Sequence, residues 1–166
     1  MQFPICKVCL DNDILCNACA EKVGKNEIKI DEIKMYRRLN KLLTDQKTLK
    51  DIEIKRVLGN EILIIITGKG GVSRLIGKDG RMVKKIAKEL NMPIRIIDQP
   101  SELKDLINEV LFTVPILGIN ILYKPEGEVY IIRISKSDRT KLPVSSEVLA
   151  CISRSMFNVD IDVIFE

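Results

Sequence analysis

The sequence contains no histidine, which excludes every mechanism that uses an imidazole as base, nucleophile or metal ligand. Tryptophan is absent as well, and three tyrosines and four phenylalanines are too few for an aromatic platform on which bases could stack. The longest aliphatic run, residues 62–66, falls far short of a membrane span. No basic-then-apolar leader opens the chain, since Cys6 and Cys9 arrive almost at once, so an unsecreted, cytoplasmic protein is expected. The acids are scattered, with no spacing that suggests a two-metal site. A non-catalytic protein is therefore expected.

What is present points to a soluble globular chain: 166 residues, 46% hydrophobic and 30% charged, enough for one ordinary domain or two to three small ones. The net charge is only +4, but it is unevenly spread. Residues 68–88 hold Lys69, Arg74, Lys78, Arg81, Lys84, Lys85 and Lys88 against the single acid Asp79, so that window is +6 and the remainder −2. A cationic patch on a slightly acidic body suits a polyanion partner; its plain alternative is a solvated helix face.

Four of the five cysteines, Cys6, Cys9, Cys16 and Cys19, lie in the first 19 residues as two C-x-x-C turns six residues apart. Each turn can aim two thiolates at one centre, and two turns complete a tetrahedron suited to Zn2+. Two disulfides would be the bland reading, but they fit poorly with an unsecreted chain. A thioredoxin-like pair needs one such turn beside a strand–helix unit, not two in tandem. A four-thiolate iron site has the same spacing. One structural zinc is the expectation, with residues 1–25 as a knuckle too small to order itself otherwise. A closed shell of four thiolates leaves no open position for catalysis. Cys151, alone in a later helical pattern, reads as a small buried apolar residue.

From Asp31, placed to cap it, a helix is predicted through Ile33, Tyr36, Leu39 and Leu43. Two strands follow, one around Ile52 and Ile54 and one over residues 61–67, joined by a two-residue turn at Gly59 and Asn60. A short helical piece over residues 72–76 leads to Gly77-Lys78-Asp79-Gly80. The next helix carries Met82, Val83, Ile86 and Leu90 on one face, and a strand at Ile94 and Ile96 closes the unit.

This order of elements and the run Leu-Ile-Gly-Lys-Asp-Gly-Arg-Met-Val at residues 75–83 resemble a type II KH domain over residues 27–98. The two glycines let a nucleic-acid backbone approach, and Gly80 opens a helix whose free N–H groups favour phosphate. The resemblance implies a clamp on about four nucleotides. Its contacts would be Gly77, Lys78, Asp79, Gly80 and Arg81, with Arg74, Lys84 and Lys69 adding charge. Val72, Leu75, Ile76, Val83 and Ile94 are nominated for the apolar groove beside them. Asp79 is a departure, because a carboxylate in the loop repels phosphate.

Shifting the chain by 67 residues lays residues 61–98 on 128–165 without a gap and keeps the apolar register: Ile64 and Ile65 meet Ile131 and Ile132, Leu75 meets Leu142, Ile94 meets Ile161. Upstream, Ile52 and Ile54 meet Ile119 and Ile121, the turn meets Glu126 and Gly127, and residues 101–110 supply a leading helix. A second, degenerate KH-like unit is expected over residues 99–166. Val144-Ser145-Ser146-Glu147 replaces the glycine loop there, so Ser145 or Ser146 is read as a helix cap and Glu147 as its dipole partner. Lys136, Arg139 and Lys141 are its remaining cations.

The predicted architecture is thus α+β: a zinc knuckle followed by two α-β-β-α-α-β units, the second lacking GxxG. Tandem units of this kind resemble the NusA family and its archaeal relatives, and the knuckle resembles the cysteine ribbons common on archaeal RNA-handling proteins. The resemblance implies single-stranded RNA binding in transcription elongation, termination or RNA processing. The alternatives are a zinc-dependent module that docks on a polymerase, ribosome or nuclease complex, and a binder of single-stranded DNA. No membrane partner is expected.

Overall fold

The structure is a computed structural model and describes residues 1–59 and 61–166. It is α+β, with two three-stranded sheets. The chain divides into two compact units, Met1–Leu58 with Leu63–Gln99, and Gly59–Ile62 with Pro100–Glu166. No helix among the described residues is long and apolar enough to cross a membrane.

The first unit opens with two short helices, α1 (Lys7–Asp11) and α2 (Asn17–Gly24), followed by α3 (Ile30–Leu43). On α3 the predicted stripe is the buried one: Ile33, Tyr36, Leu39 and Leu43 are all at most 2% exposed. The helix begins earlier than expected. Lys29 is its cap residue, Asp31 sits in the first turn, and the Glu32 carboxylate accepts the Lys29 backbone N–H at 3.4 Å. Glu32 is itself buried, and its charge is met by Arg56 at 2.6 and 2.8 Å and by the Tyr36 hydroxyl at 2.9 Å. Burial, with Glu32 alongside, pushes that hydroxyl well above the ordinary tyrosine range.

Strands β1 (Ile54–Leu58) and β2 (Leu63–Thr67) are antiparallel, and β3 (Ile94–Asp98) adds in parallel to β2. All five residues of β2 are buried, which is why its sequence is four aliphatics and a threonine rather than an alternation. Of the expected turn at Gly59 and Asn60, Asn60 lies outside the described residues; β1 stops at Leu58, which pairs with Ile64. Between β2 and β3 come α4 (Gly71–Ile76) and α5 (Arg81–Leu90).

The knuckle shares its core with this unit. Ile5, Cys9, Leu10 and Cys19 belong to the same buried cluster as Ile33, Tyr36 and Leu39. Gln2 exchanges two backbone hydrogen bonds with Ile52 and Ile54, each 2.8 Å. Lys22 Nζ donates to the Pro4 carbonyl at 2.7 Å, and Arg37 Nε on α3 donates to the Cys9 carbonyl at 2.9 Å.

The second unit repeats the order with α6 (Leu103–Val110), β4 (Ile116–Lys124), β5 (Gly127–Ile134), a 3₁₀ segment at Lys136–Lys141, α7 (Ser146–Phe157) and β6 (Asp160–Phe165). The expected fourth-position helix is thus a 3₁₀ run. The parallel pairing matches the 67-residue shift: Leu63 faces Ile94 as Tyr130 faces Ile161. Asn91 and Asn158, also 67 apart, both end their helices in the left-handed conformation.

The gapless alignment fails upstream. Ile54 pairs with Thr67, and Ile116 with Ile134, each pair followed by a one-residue bulge. Ile54 therefore corresponds to Ile116, not Ile121. The second hairpin continues to Lys124 opposite Gly127, so its turn is Pro125 and Glu126, one residue before the predicted position. Two copies of one fold differ here by the length of a hairpin.

Candidate metal centre and candidate nucleic-acid interface

Each C-x-x-C turn is built the same way. Cys6 and Cys16 are the cap residues of α1 and α2, with nearly superimposable backbone angles (φ −71, ψ 159 and φ −70, ψ 162). Cys9 and Cys19 lie in the helices and are buried, while Cys6 and Cys16 are exposed. The two turns also support each other: the Cys6 backbone N–H donates to Cys19 Sγ at 3.5 Å, and the Cys16 N–H donates to Cys9 Sγ at 3.1 Å.

All four sulfurs lie within 4.8 Å of one another, with Cys6 Sγ 3.4 Å from Cys9 Sγ and 3.9 Å from Cys16 Sγ. A tetrahedron with metal–sulfur bonds of about 2.3 Å has edges of about 3.8 Å, so the donor set fits a metal ion. None of the cysteines is in a disulfide. The Cys16 thiol is drawn down to about 7 by the Cys19 backbone hydrogen bond and by neighbouring thiols. The Cys16 N–H also favours a thiolate at Cys9, but burial and the adjacent thiols outweigh it and push Cys9 up to about 12. Burial raises Cys19. Four crowded sulfurs cannot all ionise alone, and a bound cation removes that conflict.

Arg37 is a neighbour that nothing in the sequence marks. Its guanidinium lies 2.9 Å from the Cys9 carbonyl and 4.0 Å from the exposed Asp13. It joins the cysteine turns to α3 from 18 residues downstream of Cys19, a proximity that only the tertiary fold creates.

The second candidate is the bend between α4 and α5. Gly77 ends α4 with φ 72 and ψ 175, a region only glycine occupies readily, and its N–H donates to the Ser73 carbonyl at 3.0 Å. Asp79 and Gly80 follow in the left-handed region, with φ 54 and φ 69. Gly80 precedes α5 and has no side chain with which to cap its first-turn N–H groups. The bend is not covered: Lys78, Asp79 and Arg81 are exposed, and Gly77 and Gly80 are half-buried. Asp79 lies 4.0 Å from the Arg81 guanidinium, so its charge is partly met from within.

Around this bend the other nominated residues divide. Lys69, Arg74 and Lys84 are exposed. Arg74 is spoken for, since its Nε donates to the Thr48 carbonyl at 3.1 Å. Val72, Val83 and Ile94 are half-buried and packed against the core, while Ile76 is exposed and offers apolar surface next to Gly77. Leu75 is fully buried and cannot line a groove; it is core.

The corresponding place in the second unit is closed. Ser145 caps α7 by accepting the Val148 N–H at 3.4 Å, as expected from the sequence, and Val144 is buried. Hydrogen bonds from its own backbone N–H and the Ser145 hydroxyl hold the Glu147 carboxyl below its ordinary value. Of the three nearby cations, Lys141 is paired with Asp138 at 2.7 Å and the Arg139 guanidinium lies over the Phe165 ring at 5.2 Å. Cys151 is exposed on α7, contrary to the buried role expected of it.

No family model and no curated protein matches the chain. Among solved structures, the crystal structure of APE1850 is similar in fold, with a TM-score of 0.59 over 84% of this chain and 100% of that one, at 18% identity.

Proposed function

We propose that this protein is a non-catalytic binder of single-stranded RNA in which the first unit is a type II KH domain and the second a KH-like copy without its clamp. The reading is supported above all by the bend at residues 77–80. Two glycines at positive φ leave no side chain over the backbone, α5 starts without a side-chain cap, and Lys78 and Arg81 stand exposed, although the Gly80 and Arg81 N–H groups are engaged by the Gly77 and Lys78 carbonyls. That combination favours a phosphate, through N–H groups, dipole and charge together. Transcription elongation, termination or RNA processing is the setting that the tandem arrangement suggests, by analogy of architecture alone.

The metal is proposed to be one structural zinc. Its role follows from the shared core: the knuckle buttresses α3 and the edge of β1 rather than standing apart as a docking arm. Metal analysis of purified protein is expected to return one zinc per chain and no visible absorbance. A coloured sample would make it an iron site.

The clamp is best tested at Lys78, because a Cβ at Gly77 would meet the Met82 Cβ at 2.9 Å and confuse lost binding with lost fold. Lys78→Asp places repulsion in the bend while keeping both glycines. Its affinity for a single-stranded RNA oligomer, read by fluorescence anisotropy, is expected to fall at least about tenfold, with an unchanged circular dichroism spectrum. Wild-type affinity in that variant would sink the reading. Competition with the matched DNA oligomer separates RNA from single-stranded DNA as the ligand.

A further inference from the structure

The helix that leaves the glycine bend starts against its own electrostatics. Its first turn, where the helix dipole favours an acid, contains none. Arg81, Lys84, Lys85 and Lys88 fall within about 100° of arc at 3.6 residues per turn, opposite the face that carries Met82, Ile86 and Leu90. All four are exposed. Their spacings of three and four residues make neighbours of 81 and 84, 81 and 85, 84 and 88, and 85 and 88. Like charges at these spacings destabilise a helix.

On other helices unpaired cations stand singly or beside acids, and several are answered directly. Lys25 pairs with Glu21, Lys34 with Asp31, and Arg154 with Asp160. On α5, among the described residues, Lys84, Lys85 and Lys88 form no ion pair, although Glu89 stands four residues after Lys85. Arg81 reaches only Asp79, back in the bend. A solvated face of ordinary composition mixes signs. This one gathers four cations of which only Arg81 lies near an acid, the signature of a local cost kept for a ligand.

We propose that this stripe is a second phosphate track, on which the backbone of the RNA strand continues beyond the nucleotides held at the bend. The track starts one residue after Gly80 and runs about 10 Å along α5, so one strand can engage both without a gap. It rests on the clamp reading above and adds Lys85 and Lys88 to it. Lysines on a helix face sense charge and not base identity, so the track contributes affinity and salt dependence without sequence preference.

The test compares RNA oligomers of about five and about fifteen nucleotides at several salt concentrations, with wild type, Lys78→Asp and the double variant Lys85→Gln/Lys88→Gln. Wild type is expected to bind the longer oligomer about sixtyfold more tightly, of which roughly sixfold is the statistical gain of its extra four-nucleotide registers, and the double variant to keep only that statistical part while holding wild-type affinity for the shorter one. Its slope of log affinity against log salt should flatten by about 1.4, at roughly 0.7 per lost contact on a single strand. Its melting temperature should equal or exceed that of wild type, because repulsion has been relieved. Lys78→Asp should weaken both lengths alike. Undiminished binding of the longer oligomer by the double variant would overturn the track and leave the clamp standing, the stripe then serving another anion such as an acidic protein. Lost affinity together with a lowered melting temperature would also overturn it, as a structural effect. Failure of wild type to bind either oligomer would remove the clamp reading, and the track with it.

Discussion

Single residues in the bend are held in conformations that their neighbours do not need. Gly77 and Gly80 both have positive φ, but for different reasons. Gly77 (φ 72, ψ 175) occupies a glycine-only region with the Met82 Cβ close by, whereas Gly80 (φ 69, ψ 18) is left-handed with its nearest neighbours at 3.8 Å. Gly80→Ala should therefore cost about 1–2 kcal/mol and Gly77→Ala clearly more, measured as shifts in urea midpoint at constant m. Equal losses would mean that the bend relaxes. The buried Glu32 makes a second residue-scale prediction. Arg56→Leu leaves its carboxylate facing only Tyr36 and a backbone N–H, and should destabilise by about 3–5 kcal/mol. Adding Glu32→Gln should recover much of that loss, since the uncompensated charge has gone.

The elements show how little of the knuckle stands on its own. Helix α1 has five residues and α2 eight, too short to persist in water without support. Support comes from the four sulfurs and from the core shared with α3. Metal uptake must displace protons, because Cys9 and Cys19 have raised pKa values and carry protons near neutrality in the metal-free protein. Protons thus compete with metal, and apparent affinity is expected to fall at least about tenfold per pH unit between pH 8 and 6, measured by chelator competition. Proton release on binding, seen as buffer-dependent calorimetric heat, is the companion signal. A pH-independent affinity would mean that the thiols are already ionised. The two hairpins teach a separate lesson: the second is longer, and a repeat judged by residue spacing alone misplaces its first strand.

At the scale of the whole molecule, charge and geometry differ between the two units. The first unit has the uncovered bend and the +6 window; the second has a capped helix, and two of its three nearby cations are engaged by Asp138 and Phe165. Under the proposed function, Lys136→Gln with Arg139→Gln should leave RNA affinity within about twofold of wild type, whereas Lys78→Asp lowers it. A comparable loss in both would extend the RNA surface to the second unit.

The sequence by itself determined whatever depends on residues near one another along the chain. The paired C-x-x-C turns, the buried stripe of α3, the aliphatic β2, the glycine bend and the Ser145 cap were all legible, because spacing and local chemistry dictate them. Contacts between distant segments were not. The tertiary structure alone brought Arg37 to Cys9, set Arg56 against Glu32, placed Leu75 in the core rather than a groove, left Cys151 exposed and shortened the first hairpin relative to the second. Each of these depends on which surfaces meet when apolar area is buried, and one-dimensional spacing carries no record of that meeting.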